Sequence, residues 1–277
     1  MRDAFVSRRR LLRVAVAAGT GVVVTSGCGS LVPTTTTGAP AGEAPAGVPG
    51  GGSDGRFRQV DGAVNVRDFG GYSVEGQYTV ARGRIYRSGS LHRVTEQGVG
   101  QLAALKLATV IDFRATGEAA GRPDKLPAGV TSVSAPVASP AAMGPPTVGL
   151  TKPEEKTLTE FRAFVSGAET RASYGAALRA VLAAGDRPTL WHCNSGTYRT
   201  GWGSAVLLTA IGVPRAQVYE DFLLSNAAFG ATFAFPEYLD AAFGEVTNLY
   251  GSFDSYLDRG LGFGPDAQAQ LRRALVV

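Results

Sequence analysis

A lone cysteine between an apolar run and a helix-like run constrains this chain most. In "TLWHCNSGTYRTGWGSAVLLTAIG", residues 189 to 212, Cys193 is followed six positions later by Arg199, then Thr200 and Gly201. The apolar stretch before Cys193 reads as a buried strand, and the stretch after it as a helix. A strand that ends in a short loop and turns into a helix belongs to an α/β sheet, whose ligands bind at the carboxyl ends of the strands. Within such a loop the backbone N–H groups of Asn194, Ser195, Gly196, Thr197 and Tyr198 can turn inward as a cradle for a tetrahedral anion. Gly196 supplies the conformational freedom that the curl needs. The helix after it points its N-terminal donors, Thr200 among them, at the same place. Donors of this kind favour a thiolate over a thiol, and the planar fork of Arg199 suits phosphate oxygens. Cys193 is thus a candidate nucleophile and Arg199 a candidate phosphate clamp. A structural cysteine beside a surface arginine is the bland alternative.

The rest of the chain alternates in the same way. "RIYRSG" (84 to 89), "LATVIDFR" (107 to 114) and "GVTSVSAPV" (129 to 137) read as strands. "TEQGVGQLAALK" reads as a helix capped by Thr95, "KTLTEFRAFV" and "RASYGAALRAVLAAG" as two more, the latter ending at Gly185. Pro214 suits the first turn of a further helix, "RAQVYEDFLLSN". This order predicts an α/β fold with a mainly parallel sheet flanked by helices. Residues 138 to 153, rich in Pro, Gly and Ala, read as a mobile loop or the base of a lid. The aromatics of 229 to 243 fit a core better than a pocket lining.

The net charge of +4 is an effect of location. Residues 1 to 27 carry five arginines and one acid, leaving 22 basic and 22 acidic residues from Cys28 onward. The balanced body gives no reason to expect nucleic acid. "SRRRLLR", an apolar run and "SGC" read as an export signal over residues 1 to 27 of twin-arginine type, with Cys28 as a lipidation site. The apolar run is too short for the roughly 20 residues that span a bilayer. Residues 28 to 57, rich in Pro, Thr, Ala and Gly, read as a disordered tether, and residues 58 to 277 as one domain. The expected location is the extracytoplasmic face of the membrane, or outside the cell. With Cys28 assigned to export, Cys193 is the one thiol of the folded body, either an inert core residue or a reactive group.

The loop together with "NVRDFGGY" (65 to 72), "RGRIYRSGSL" (82 to 91), "TVIDFR" (109 to 114) and "DFLLSN" (221 to 226) resembles the bacterial tyrosine phosphatases of the Cys-x5-Arg type, which include secreted mycobacterial enzymes. The resemblance implies a protein-tyrosine-phosphatase-like fold, no metal or other cofactor, a phosphocysteine intermediate on Cys193, and a phosphorylated protein or phospholipid as substrate. It also implies that Thr200 contacts the leaving thiolate and that His192 orients or polarises Cys193 from behind, with a plain core histidine as the alternative. The family's loop reads like HCxxGKDRTG, and here Thr197 and Tyr198 stand where its lysine and aspartate would be. A general acid must then come from elsewhere. Asp68, Asp221, Glu154, Glu155 and Tyr198 are candidates, each with a structural role as its alternative. Arg114 is a candidate substrate contact, or a partner for Glu118. A binding module that has lost its acid and a sulfur-transfer domain are the competing functions.

Overall fold

The computed structural model describes residues 55–137 and 147–277. The export signal, Cys28, nearly all of the expected tether and residues 138–146 of the expected loop lie outside them. In chain order the elements are β1 (Arg67–Asp68), β2 (Ile85–Ser88), α1 (Glu96–Ala104), β3 (Thr109–Asp112), α2 (Thr116–Gly121) and β4 (Thr131–Ser134). There follow α3 (Glu155–Ser166), α4 (Ala168–Ala184), β5 (Thr189–His192), α5 (Tyr198–Ala210), α6 (Arg215–Phe229) and α7 (Pro236–Tyr250). A short turn α8 (Phe253–Ser255), a π-helical turn over Tyr256–Gly260 and α9 (Pro265–Leu275) close the chain. No helix among the described residues is long and apolar enough to cross a membrane.

The sheet has the order β1-β2-β5-β3-β4, with β1 antiparallel to β2 and every other neighbour parallel. β5 lies at the centre. Its register sets His192 opposite Ser88 of β2 and Asp112 of β3, so the chain leaving β5 is flanked by the ends of both neighbours. Successive side chains alternate faces. Ile85, Ile111 and Trp191 enter a large core with α3, α4, α5 and α7, while Tyr86, Val110 and Leu190 enter a smaller one with Leu102 of α1. Burial on both faces explains why β3 and β5 lack the apolar–polar alternation of a half-exposed strand.

Local rules account for several ends. Thr95 accepts the Gly98 N–H at 3.1 Å and caps α1. Gly185 closes α4 at a φ of 65°, and Gly230 closes α6 in the left-handed region. Pro214 sits one residue earlier than expected, at the cap of α6. The aromatic segment 229–243 is mostly core: Phe229, Phe233, Tyr238 and Phe243 are buried, and α7 begins inside it at Pro236.

Candidate active site

The loop from Cys193 to Arg199 leaves the carboxyl end of β5 and enters α5 at Tyr198. Gly196 has a φ of 73°, and a Cβ there would lie 2.3 Å from the Ser88 carbonyl oxygen, so only glycine fits. The carbonyls of the loop are held from outside. Asn65 Nδ2 donates to Ser195 O at 3.1 Å and to Gly196 O at 3.2 Å. Arg87 Nη2 donates to Gly196 O, and Ser90 N to Asn194 O at 2.8 Å. The N–H groups of Asn194, Ser195 and Gly196 donate to no acceptor among the described residues. With its carbonyls fixed outward and these donors uncommitted, the loop is a preformed anion cradle.

Cys193 is 2% exposed. Arg199 is 5% exposed, and its Nη1 donates to Glu118 Oε2 at 2.7 Å. Burial opposes the charge of Arg199, but Cys193 and Glu118 outweigh that and raise its pKa. The other oxygen of Glu118 accepts from Asn194 Nδ2, and Ala115 N donates to Oε2 at 2.8 Å. Burial would raise the pKa of Glu118, yet Arg199, Ala115 and Asn194 hold it below the usual carboxylate range. Glu118 is therefore an ionised residue that ties the clamp to the second loop residue. The hydroxyl of Thr200 is buried with no hydrogen-bond partner in the protein, as is that of Thr197.

Beside the loop on the β3 side, His192 is fully buried, with Nε2 at 3.0 Å from Asp124 Oδ2 and Nδ1 at 3.8 Å from Asp112 Oδ1. Burial lowers the pKa of His192, but Asp124 and Asp112 together raise it above 6.5. Nδ1 also lies 3.1 Å from the Cys193 carbonyl oxygen, which fits a place behind the nucleophile. Asp112, Asp124 and His192 are the residue types that ligate metals and stand close enough to do so. The Arg114 guanidinium already bridges both carboxylates, at 2.7 Å and 2.8 Å, and stands where a cation would go.

Several expected roles are corrected. Arg114 is 1% exposed, and its five N–H groups are spent on Asp112, Asp124, Ser90 Oγ and the Arg122 carbonyl. No donor remains for a substrate, and its partner is not Glu118. Asp68 accepts from Gly70 N at 2.8 Å, Gly83 N at 2.9 Å and Arg58 Nη2 at 3.2 Å, so it pins the turn after β1. Asp221 is held by Arg67 and Arg87; burial would raise its pKa, but the two arginines lower it, so it carries no proton to give. Glu155 is mostly exposed and 3.6 Å from Arg162, and Glu154 is 3.1 Å from Lys156. Tyr198 turns from the loop into the core, packs on Phe161 and Tyr238, and donates its hydroxyl to Phe233 O at 3.0 Å. Burial raises its pKa further, with Tyr238, Glu154 and Glu160 adding to the rise. It is no acid catalyst.

Glu118, Asn65 and Arg87 touch the loop, and sequence reasoning assigned none of them a part in the site. The signal for Glu118 was its place just past the carboxyl end of β3, next to β5 in the sheet, where ligand-facing groups gather. Asn65 and Arg87 lie in segments that mark the resemblance, but which loop atoms they reach is a matter of tertiary structure.

The chain is similar in sequence to known phosphatases. Residues 58–277 match the model of the tyrosine phosphatase family. A Cupriavidus necator protein named as a tyrosine-protein phosphatase is 28% identical over 221 residues, covering 70% of this chain and 80% of its own length. The triple specificity protein phosphatase PtpB of Mycobacterium tuberculosis is 31% identical over 199 residues, covering 61% of this chain and 69% of its own. Among solved structures, P. aeruginosa TpbA in complex with pTyr has a TM-score of 0.43 at 19% identity, over 76% of this chain and 99% of that one. A domain with a mainly parallel sheet and an anion cradle between Cys193 and Arg199, matched by the family model over residues 58–277, belongs to the tyrosine phosphatase family and is a cysteine-dependent phosphatase.

Proposed function

We propose that the chain hydrolyses aryl phosphomonoesters, phosphotyrosine in proteins above all, with none of Asp68, Asp221, Glu154 and Glu155 serving as acid to the leaving group. The observation that carries this is the cradle itself: carbonyls tied outward by Asn65, Arg87 and Ser90, in a loop that runs from buried Cys193 to buried Arg199. The Cys193 thiolate attacks phosphorus, the P–O bond to the leaving group breaks, and the departing oxide takes its proton from water. Water then attacks the phosphocysteine and the S–P bond breaks, releasing inorganic phosphate and restoring the thiolate, while the proton the water sheds replaces the one taken by the leaving oxide. The N–H cradle and Arg199 hold the equatorial oxygens through both steps, where preorganised donors act most strongly. The Thr200 hydroxyl is unengaged and can donate to the departing thiolate.

The carboxylates considered as acids are ionised, ion-paired or turned away, and residues 138–146, "ASPAAMGPP", include no Asp or Glu. General acid catalysis is commonly worth about 10²–10⁴-fold. Phenolate leaves far better than alkoxide, so the deficit falls mainly on alkyl phosphates and favours aryl substrates. The name of PtpB supports a protein substrate. The commitment of those candidates elsewhere also favours a second reading, a module that binds phosphotyrosine without turnover.

The test is a series of aryl phosphates of graded leaving-group pKa, assayed with the full chain in detergent. A rate that falls steeply with leaving-group pKa, is blocked by vanadate and vanishes in Cys193→Ser supports the enzyme. A flat dependence would reveal an acid, and phosphotyrosine peptide binding with no turnover from pH 5 to 8 would make the chain a binding module. We further propose the twin-arginine signal and lipidated Cys28 as the route to an extracytoplasmic membrane face. Recovery of Cys28→Ser protein in the membrane fraction, in the amount seen for the wild type, would refute the lipid anchor.

A further inference from the structure

Behind the loop, on the β2 side, two guanidinium groups share one carboxylate. Arg67 and Arg87 are fully buried and Asp221 is 1% exposed. Arg67 Nε donates to Asp221 Oδ1 at 3.0 Å, and Arg87 Nη1 donates to Oδ2. Their other donors reach neutral acceptors: the Asp221 carbonyl, Ser225 Oγ, Asn65 Oδ1 and the Gly196 carbonyl. Arg87 Nε is buried with no acceptor. Among the described residues no second carboxylate pairs with either arginine, so the cluster holds one positive charge in excess. A buried charge without a partner is costly, and an anion nearby relieves the cost. The loop supplies that anion, because Arg87 grips Gly196 from the outer side of the curl whose inner side faces the phosphate.

We propose that Arg87, in its cluster with Arg67 and Asp221, is a buried counter-charge for the anion in the loop, a positioning residue that acts through Gly196 without touching substrate. The proposal rests on the phosphate-loop reading above. Arg87 does two things at once: its charge favours the Cys193 thiolate and bound phosphate, and its hydrogen bond holds the Gly196 carbonyl away from them. Burial and Arg67 pull its pKa down to about 10, opposed by Asp221 and Cys193, so it stays a cation at neutral pH. Being buried, the charge is little screened by salt.

The experiment is competitive inhibition by inorganic phosphate, read with thermal unfolding, in the full-length wild type, Arg87→Gln and Arg87→Lys. Arg87→Gln leaves Arg67 and Asp221 as a balanced pair. The expected result is about tenfold or greater weakening of phosphate inhibition with the melting temperature held or raised. Arg87→Lys keeps the charge without the fork and recovers most of the affinity. Unchanged inhibition in folded Arg87→Gln overturns the proposal, and so does a lysine variant as weak as glutamine, which would leave only the geometry of the fork. Should Arg87→Gln not fold, Arg67→Gln removes the same charge while keeping the Arg87–Gly196 hydrogen bond and must weaken phosphate likewise. No weakening there, or failure of that variant to fold as well, overturns the proposal. A wild type that neither turns over aryl phosphate nor binds phosphate would defeat the phosphatase reading instead.

Discussion

Two buried ionic clusters flank Cys193, and they are opposite in composition. On the β2 side Arg67 and Arg87 surround one carboxylate, Asp221. On the β3 side Asp112 and Asp124 surround one guanidinium, Arg114, and His192 completes the group. The cation-rich cluster grips the loop carbonyls, and the acid-rich one backs the strand end that carries the cysteine. An ion pair in a protein interior contributes little by itself, since desolvation offsets attraction, but an unmatched member is strongly felt. The difference teaches that an arginine's effect depends on which excess it belongs to. Removing Arg87 leaves one arginine matched to one carboxylate, whereas removing Arg114 leaves two carboxylates without an arginine.

The largest effect is therefore expected at Arg114. Arg114→Met leaves Asp112 and Asp124 facing each other with only His192 between them, and breaking a buried pair in this way costs about 3–5 kcal/mol. Urea unfolding of Arg114→Met beside Arg87→Gln measures both sides at once. Equal losses in the two variants would erase the asymmetry.

What could be read from the chain alone follows the same division. Strand β5, the loop and α5 were legible because they are consecutive: an apolar run, a cysteine, a glycine and an apolar helix. The Thr95 cap and the Gly185 stop were legible for the same reason. The clusters were not, because their members are far apart in sequence, with Arg67 and Asp221 separated by 154 positions and Arg87 and Asp221 by 134. Asp68, Asp221 and Arg114 looked like functional groups because each is charged and next to a motif. Folding committed Asp68 and Asp221 to neighbours that no local pattern shows, and gave Arg114 both Asp112, two residues away, and the more distant Asp124. Glu118 was the opposite case, noticed only as a neighbour of Arg114 and found on the phosphate clamp.

A smaller effect separates the clusters by pH. His192 pairs with Asp124 and Asp112 in the folded state, which raises its pKa despite burial. Its unfolded value is near 6.5. A raised folded pKa means that this stabilisation is complete below about pH 6.5 and is lost as pH climbs through the folded value. Melting temperature should fall over that range in the wild type, and the fall should shrink in Asp124→Asn. It should be smaller than the loss in Arg114→Met, because neutral His192 stays beside Asp124 and no carboxylate loses its arginine. The cation-rich cluster has no group that titrates there, so Arg87→Gln should keep the wild-type slope. A slope that moves with Arg87 would tie the pH response to the wrong side of the loop.

The smallest expected difference lies in two serines that play matching parts. Ser90 Oγ accepts from Arg114 Nη1 at 2.9 Å and lies 2.8 Å from His92 Nδ1. Ser225 Oγ accepts from Asn65 Nδ2 at 3.2 Å and Arg67 Nη2 at 3.3 Å. Hydrogen bonds to charged groups contribute about 1.5–3 kcal/mol and ordinary ones about 0.5–1.5. Both arginines keep other acceptors when the serine goes, which places each loss toward the low end. Ser90→Ala should thus cost about 1.5 kcal/mol and Ser225→Ala about 1 kcal/mol, since the contacts of Ser225 are longer. Unfolding midpoints of the two variants decide the order. If Ser225→Ala proved the costlier, the hydroxyl rather than the charge would be holding the rear of the loop, and the counter-charge account of Arg87 would lose its main competitor-free ground.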